Sequence, residues 1–414
     1  MLRSLLTGRV PARPGPRRAR PRALPRAFAA ATATVLAALV TGAPSAAAAR
    51  AGADIREEQR WVFDALNVER AWRLGKGAGV TVALLDTRVR TSVKELKGKV
   101  TEGPDLSGFF YGDLRSPVGE HGTRMASLIA GSGKDGALSG VAPEARILSI
   151  PIAVELGETT MLPGGPADAE FARAVRYAVS HDAAVIVVPN GRYGAQRIAG
   201  EAVAYALARG VPVVASVGDD GASEPSKENG TSYWRFPAGY SGVIGVAAVD
   251  RDGRPAEFSS DNLSVLVAAP GVDVPVASSR GGRTTVSSTD AAAALVGGVV
   301  ALIKARHPGL RPELVAQALT SSTRNRPEAG YDDRVGFGTV DAAAALERAA
   351  QLAGHRVSLP VDESLRFGGG TAAPEPEPPG PDPFRMWAYG LGVAFGLAAF
   401  AGGVLILVRR SERG

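Results

Sequence analysis

The sequence predicts an α/β domain built on a mostly parallel sheet with helices on both faces. Between residues 50 and 355, short runs rich in Val, Ile and Ala alternate with stretches patterned at helical spacing. That alternation is what parallel strands joined by crossover helices produce. The runs are apolar throughout rather than at every second residue, which places both of their faces in a core. Asp86, Pro189-Asn190-Gly191 and Gly218-Asp219 each lie at the end of such a run. Sites in open α/β sheets collect at the carboxyl ends of the strands.

Taken in order, the first strand covers residues 80–85 and ends at Asp86. His121 opens a helix with Met125, Leu128 and Ile129 on one face, and Gly131 stops it. Residues 146–152 read as a strand. A helix over 167–179 leads into a strand over 183–188. A helix over 201–208 ends at Gly210 before a strand over 211–217, and residues 243–249 add another. The longest apolar helix covers 291–305; His307-Pro308 ends it, because proline cannot continue a helix.

The flanks are of a different character. The 414 residues carry a formal charge of +6 and no cysteine, which excludes disulfides, a thiol nucleophile and Cys-ligated metals. Residues 1–26 hold eight arginines and no acid, residues 27–40 are apolar, and Ala46 to Ala49 are four alanines in a row. Basic, apolar, then Ala-x-Ala is the pattern of a secretory signal peptide, assigned to residues 1–49. A basic tail that binds nucleic acid is the alternative, but it leaves the apolar stretch unexplained. Residues 356–384 form a Pro/Gly-rich spacer of polyproline character. Residues 385–408 then read as a transmembrane helix, with an uncharged stretch over 387–408, and residues 409–414 as a short tail with three arginines. Positive charge after the span places the tail in the cytoplasm and residues 50–355 outside, so the protein is expected at the cell membrane. The leader's basic segment contributes +8 and the tail +2, which leaves −4 for everything between them. The basic balance therefore belongs to the two ends, and nucleic acid drops out as a partner.

Several motifs stand in order through the domain: Asp86-Thr87, His121-Gly122-Thr123, Gly140-Val141-Ala142-Pro143 and Ala269-Pro270-Gly271. Together they resemble the subtilisin-like (S8) serine proteases. The stretch from Gln59 to Leu66, the pair Ala71-Trp72, the leader, the spacer and the anchor resemble the mycosins in particular. Those are membrane-anchored subtilases associated with type VII secretion in actinobacteria. The resemblance implies a three-layer subtilisin-like fold, Asp86 as the orienting acid and His121 as the base. It implies no cofactor and no metal, and as partners the membrane, type VII secretion components or a peptide.

The resemblance also exposes departures. The family's nucleophile motif, Gly-Thr-Ser-x-Ala, opens the long apolar helix, and here that place reads Ser288-Thr289-Asp290-Ala291-Ala292. With the frame fixed by Gly298 and the apolar run after it, Asp290 replaces the Ser nucleophile; an Asp there also suits a helix N-cap. Asp219 replaces the Asn whose amide serves the oxyanion. Arg88 replaces a Gly beside the acid, and the substrate-binding segment, usually Ser-x-Gly, reads Pro189-Asn190-Gly191. Mycosins usually carry disulfides; this chain has no cysteine. The expected function is a pseudoprotease with a scaffolding or peptide-binding role. Two alternatives stand beside it. One is an active serine endopeptidase using Ser287 or Ser288 after a slip of two or three positions. The other is a divalent-cation-binding module built from Asp86, His121, Asp219 and Asp290, whose carboxylates would otherwise pair with Arg88, His121 and water.

Overall fold

The uniformly apolar runs become the strands of one seven-stranded sheet in a computed structural model describing residues 46–107, 119–152, 166–354 and 383–411. The first part of the chain forms helices α1 (Ala46–Leu66) and α2 (Val68–Trp72), strands β1 (Thr81–Asp86) and β2 (Val100–Glu102), α3 (Glu120–Ala130) and β3 (Arg146–Pro151). Then come α4 (Pro166–Ser180), β4 (Val185–Val188), β5 (Arg192–Tyr193), α5 (Arg197–Ala208), β6 (Val213–Ser216), α6 (Glu224–Asn229) and β7 (Arg235–Phe236). The last part holds β8 (Ile244–Val249), β9 (Val267–Pro270), β10 (Val274–Ala277), β11 (Arg283–Val286), α7 (Thr289–Arg306), α8 (Pro312–Thr320), α9 (Ala342–Gly354) and α10 (Pro383–Ser411).

The sheet runs β2-β3-β1-β4-β6-β8-β9, and every neighbouring pair is parallel. The predicted strands are all present. Two edge strands escaped sequence reading: β2 has only three residues, two of them exposed, and β9 only four. The first is too short to register as a pattern.

Side chains alternate between the two faces, as the pleat requires. Val82, Leu84, Val185, Val187, Val214 and Val246 pack with α3 and α7 on one side. Ala83, Leu85, Ile186, Val188, Val213 and Ala215 pack with α4 and α5 on the other. This is the three-layer architecture the sequence implied. Helix α7 is buried from Ala291 to Lys304 and lies against β4, β6, β8 and β9. It comes close enough to the loop after α3 that a Cβ on Gly298 would stand 2.7 Å from the Val141 Cβ. Helix α1 is lashed to the domain by Gln59, whose side-chain amide donates to the Ser139 carbonyl at 2.8 Å and accepts from the Ser139 N–H at 3.0 Å.

The chain divides after Gly354 into two units. In the second, α10 contains the 22-residue apolar stretch Met386–Leu407. At 1.5 Å per residue it is about 33 Å long, enough to cross a bilayer core of roughly 30 Å. The predicted leader, residues 1–49, lies outside the described residues except for the start of α1 at Ala46. The spacer, 356–384, lies outside them except for Pro383 and Phe384.

Candidate active site

Three elements meet at the carboxyl end of the sheet. Strand β1 ends at Asp86, which is fully buried. Helix α3 starts beside it because the Gly122 N–H donates to the Thr87 hydroxyl at 2.8 Å. That approach needs glycine, since a Cβ at 122 would lie 2.1 Å from the Thr87 carbonyl oxygen. The contact sets the His121 ring against Asp86, with Nδ1 2.8 and 2.9 Å from the two carboxylate oxygens. One turn of α3 is fixed from outside as well: the Ser279 hydroxyl donates to Glu120, which also pairs with Arg124 at 3.0 Å.

The third element is the start of α7. Here Ser288, in extended backbone with φ −169°, is the N-cap, and its hydroxyl accepts from the Asp290 N–H at 2.9 Å. The N-cap expected at Asp290 is therefore two positions earlier, and the Asp290 carboxylate is released to face the site. Its Oδ2 lies 3.1 Å from His121 Nε2. Asp86, His121 and Asp290 thus form one line of hydrogen bonds, with the His121 and Asp290 side chains 26% and 18% exposed. Burial alone would lower the His121 pKa. The Asp86 charge and the bonds from Asp290 and Asp86 outweigh it and hold the imidazole well above its usual 6.5. Placed between two carboxylates, the ring is favoured in its protonated form.

Asp219 follows β6 and is exposed to solvent. Its Oδ1 accepts from the Thr289 N–H and the Thr289 hydroxyl, both at 2.8 Å, and the same hydroxyl accepts from the Gly218 N–H at 3.2 Å. Desolvation first, then the Asp290 charge, push the Asp219 pKa from 3.8 up to about 6, against the bonds from Thr289 and Ser288, and solvent at this exposed residue screens the effect. The predicted substrate-binding segment, Pro189-Asn190-Gly191, lies just past β4. Its Pro189 carbonyl accepts from Ser216 Oγ at 2.9 Å and its Gly191 carbonyl from Arg235 at 3.1 Å.

Two expectations need correction. Arg88 does not pair with the site carboxylates; it bonds Glu102 at 3.3 Å and Asp105 at 2.7 Å, turning away along β2. The cation-binding reading also fails on geometry. Asp86 spends its carboxylate on His121 and the Thr87 N–H, and Asp219 spends an oxygen on Thr289, so three of the side chains form a line with Asp219 outside it, rather than a cage. Among the described residues, no group of three or more His, Asp or Glu could hold a metal ion. Neither alternative serine faces the imidazole: Ser287 is exposed and bonds the Asp273 N–H at 2.9 Å, while Ser288 caps α7. Sequence reasoning missed Thr289, Glu120 and Arg235. Each acts through a partner remote in the sequence, respectively Asp219, Ser279 and Asp220, and no local signal marks them.

The Subtilase family (Peptidase S8) matches residues 77–338. Mycosin-1 of Mycobacterium tuberculosis (strain ATCC 25618 / H37Rv) is 31% identical over 389 residues, covering 82% of this chain and 84% of the relative. Mycosin-4 of the same organism is 33% identical over 312 residues, covering 68% and 67%. Among solved structures, MycP1 with its N-terminal propeptide removed superposes with a TM-score of 0.56 at 30% identity, over 69% of this chain and 97% of that one. MycP3 protease from the type VII (ESX-3) secretion system does so with a TM-score of 0.56 at 30% identity, over 69% and 87%. The order of the strands, the Asp86–His121 pair at their carboxyl ends and these likenesses agree: the chain belongs to the subtilase family, of the mycosin type.

Proposed function

We propose that this chain is a membrane-anchored, extracytoplasmic mycosin-like subtilase homologue that does not cut peptides. In this reading Asp86, His121, Asp290 and Asp219 are the degenerate remains of the catalytic site, and Pro189-Asn190-Gly191 is a peptide-binding segment. The chain scaffolds, or holds a peptide for, a type VII secretion assembly. Residues 50–355 are its external domain, and the arginines after the 385–408 span keep the tail in the cytoplasm.

The observation that carries the reading is the 3.1 Å contact of His121 Nε2 with Asp290. A serine protease needs a neutral imidazole to take the proton of a serine hydroxyl. Here the carboxylates on both sides of the ring favour the protonated imidazole, which is a poor acceptor for that proton. Attack by Asp290 itself would give a mixed anhydride, a far less stable intermediate than an ester. Asp219 in turn brings negative charge to a place where charge develops in the transition state. In subtilisin, losing the serine costs about 10⁶ in rate and losing one oxyanion donor about 10²–10³. The secretion role rests on the mycosin relatives, one of whose structures is of a type VII secretion protease.

The test is direct. Full-length protein in detergent is exposed to a fluorophosphonate probe and to casein. No labelling and no cleavage are expected. Labelling abolished by S287A or S288A would overturn the reading in favour of an active serine endopeptidase. Co-purification from membranes with type VII secretion components tests the partner.

A further inference from the structure

Beside the candidate site, one side chain occupies the space between the segments that follow β4 and β6. Strands β5 and β7 pair in antiparallel register with Tyr193 opposite Arg235. This projects Arg235 back between Gly191, at the end of the predicted peptide-binding segment, and Gly218, next to Asp219. A Cβ on Gly191 would stand 2.8 Å from the Arg235 Cβ, and one on Gly218 would stand 2.8 Å from its Cγ. Both glycines leave room for the arginine stem. The guanidinium is then fastened on several sides. Nε and Nη2 donate to the Asp220 carboxylate at 2.8 and 2.9 Å, Nη1 to the Gly191 carbonyl at 3.1 Å and Nη2 to Tyr193 Oη at 3.0 Å. Its carbon lies 3.9 Å from the centre of the Tyr193 ring. Arg235 and Asp220 are each 18% exposed, so solvent weakens the pair little.

We infer that Arg235 is the specificity-determining residue of this cleft. It shuts the recess between Gly191 and Gly218 to bulky side chains, so a bound peptide presents glycine or another small residue there. A guanidinium with two donors on one carboxylate, one on a carbonyl and one on a phenol oxygen is held in place rather than displayed for a ligand. The six heavy atoms of Arg235 beyond Cβ match a benzene ring in number, so removing them opens space for an aromatic ring. The inference deepens the peptide-binding reading above and rests on it for the identity of the occupant, whereas the closure of the recess is measured by itself.

The probe is 4-fluorobenzamide, followed by 19F line broadening on the full-length protein in detergent. R235A is expected to bind it at least tenfold more tightly than the wild type. R235M, which keeps the stem but not the charge, is expected to stay closed. Equal binding by wild type and R235A, or equal gain in R235A and R235M, would overturn the inference. Should R235A fail to fold, D220A releases the guanidinium and is expected to admit the probe; no gain over wild type there also overturns it. Since the probe is not a peptide, a negative result here leaves the pseudoprotease reading intact. A cleavage-competent wild type would in turn leave the closed recess intact.

Discussion

Replacing Asp290 with alanine separates the electrostatic role of this side chain from every other feature of the site. Unit charges about 4 Å apart at the effective dielectric of a protein surface attract by roughly 4 kcal/mol. With both side chains about a fifth exposed, water reduces this toward the roughly 1.5–3 kcal/mol usual for a hydrogen bond to a charged group. Loss of the Asp290 charge also relieves its repulsion with Asp219, which works in the opposite direction. The net cost of D290A at pH 5.5 is therefore expected in the lower part of that range or just below it, about 1–2 kcal/mol. Its pH dependence is more diagnostic than its size. The His121 pKa is raised by folding, so the ion pair's contribution is complete below the usual 6.5 and is lost as pH climbs through the raised value. The Asp219 pKa is raised as well, from 3.8 to about 6, so its crowding with Asp290 emerges as pH rises through that window. Both effects make the wild type lose its advantage as pH increases. A charge near a helix N-terminus adds a further stabilising effect of about 0.3–1 kcal/mol. Urea denaturation of residues 50–354 in wild type and D290A, from pH 5.5 to 9.5, measures the difference. A gap that shrinks with pH is expected. A gap that is flat or widens would refute a protonated His121 held by Asp290.

Two further substitutions probe other interactions. D219N keeps an oxygen to accept from Thr289 and removes the charge, so between pH 4 and 7 the wild type is expected to lose thermal stability that the variant retains; parallel melting curves would show that Asp219 ionises without cost. Lys304, buried in α7, donates to the carbonyls of Gly210, Pro308 and Leu310 at 3.1, 2.6 and 3.0 Å. K304M leaves these acceptors without their donor and is expected to cost about 2–4 kcal/mol in denaturant titrations. A loss below about 0.5 kcal/mol, the floor for a typical hydrogen bond, would mean that water reaches them instead.

The parts of this molecule legible in the sequence are those set by local pattern. Strands buried on both faces read as apolar runs, and each predicted strand appears close to its expected ends. Asp86 and His121 stand out at element boundaries, but their roles come only from the motifs that resemble the subtilases; the structure places the two side chains in contact. Contacts fixed by tertiary structure were not legible. Arg88 carries no mark of its partners on and after β2, and Arg235 none of Asp220, which stands before α6 on the far side of an intervening loop. The N-cap went to the wrong residue because Ser288 and Asp290 both satisfy the local rule. What decides between them is the extended backbone at Ser288, held by its own N–H on the Gly271 carbonyl at 2.8 Å. The four candidate cation ligands were the right side chains for a metal, but sequence supplies donors without directions.

Under the proposed function, in which Asp290 stands at the former nucleophile position, the Ser288 cap also explains how an aspartate is accommodated there. Had Asp290 capped α7, its carboxylate would have turned back onto the helix amides, leaving His121 Nε2 without a partner. Because Ser288 takes that task, the carboxylate extends one bond further than a serine hydroxyl would and reaches the imidazole. Asp86 then has a new consequence. In a protease an acid in this place orients a base that must be neutral before each turnover. Here the same acid, opposed by a second carboxylate across the ring, raises the imidazole pKa and so favours the protonated base. The geometry that tunes a catalytic histidine thereby becomes an ion-paired link joining β1, α3 and α7, and its contribution to stability grows as its capacity to accept a proton falls. A single D290S change should therefore be read on two axes at once: it removes one carboxylate from the link and lowers the His121 pKa toward the range of a working base. If the residual Asp219 charge is what still blocks chemistry, D219N added to D290S raises fluorophosphonate labelling above that of D290S alone. Equal labelling of the single and double variants would place the remaining obstacle elsewhere in the cleft.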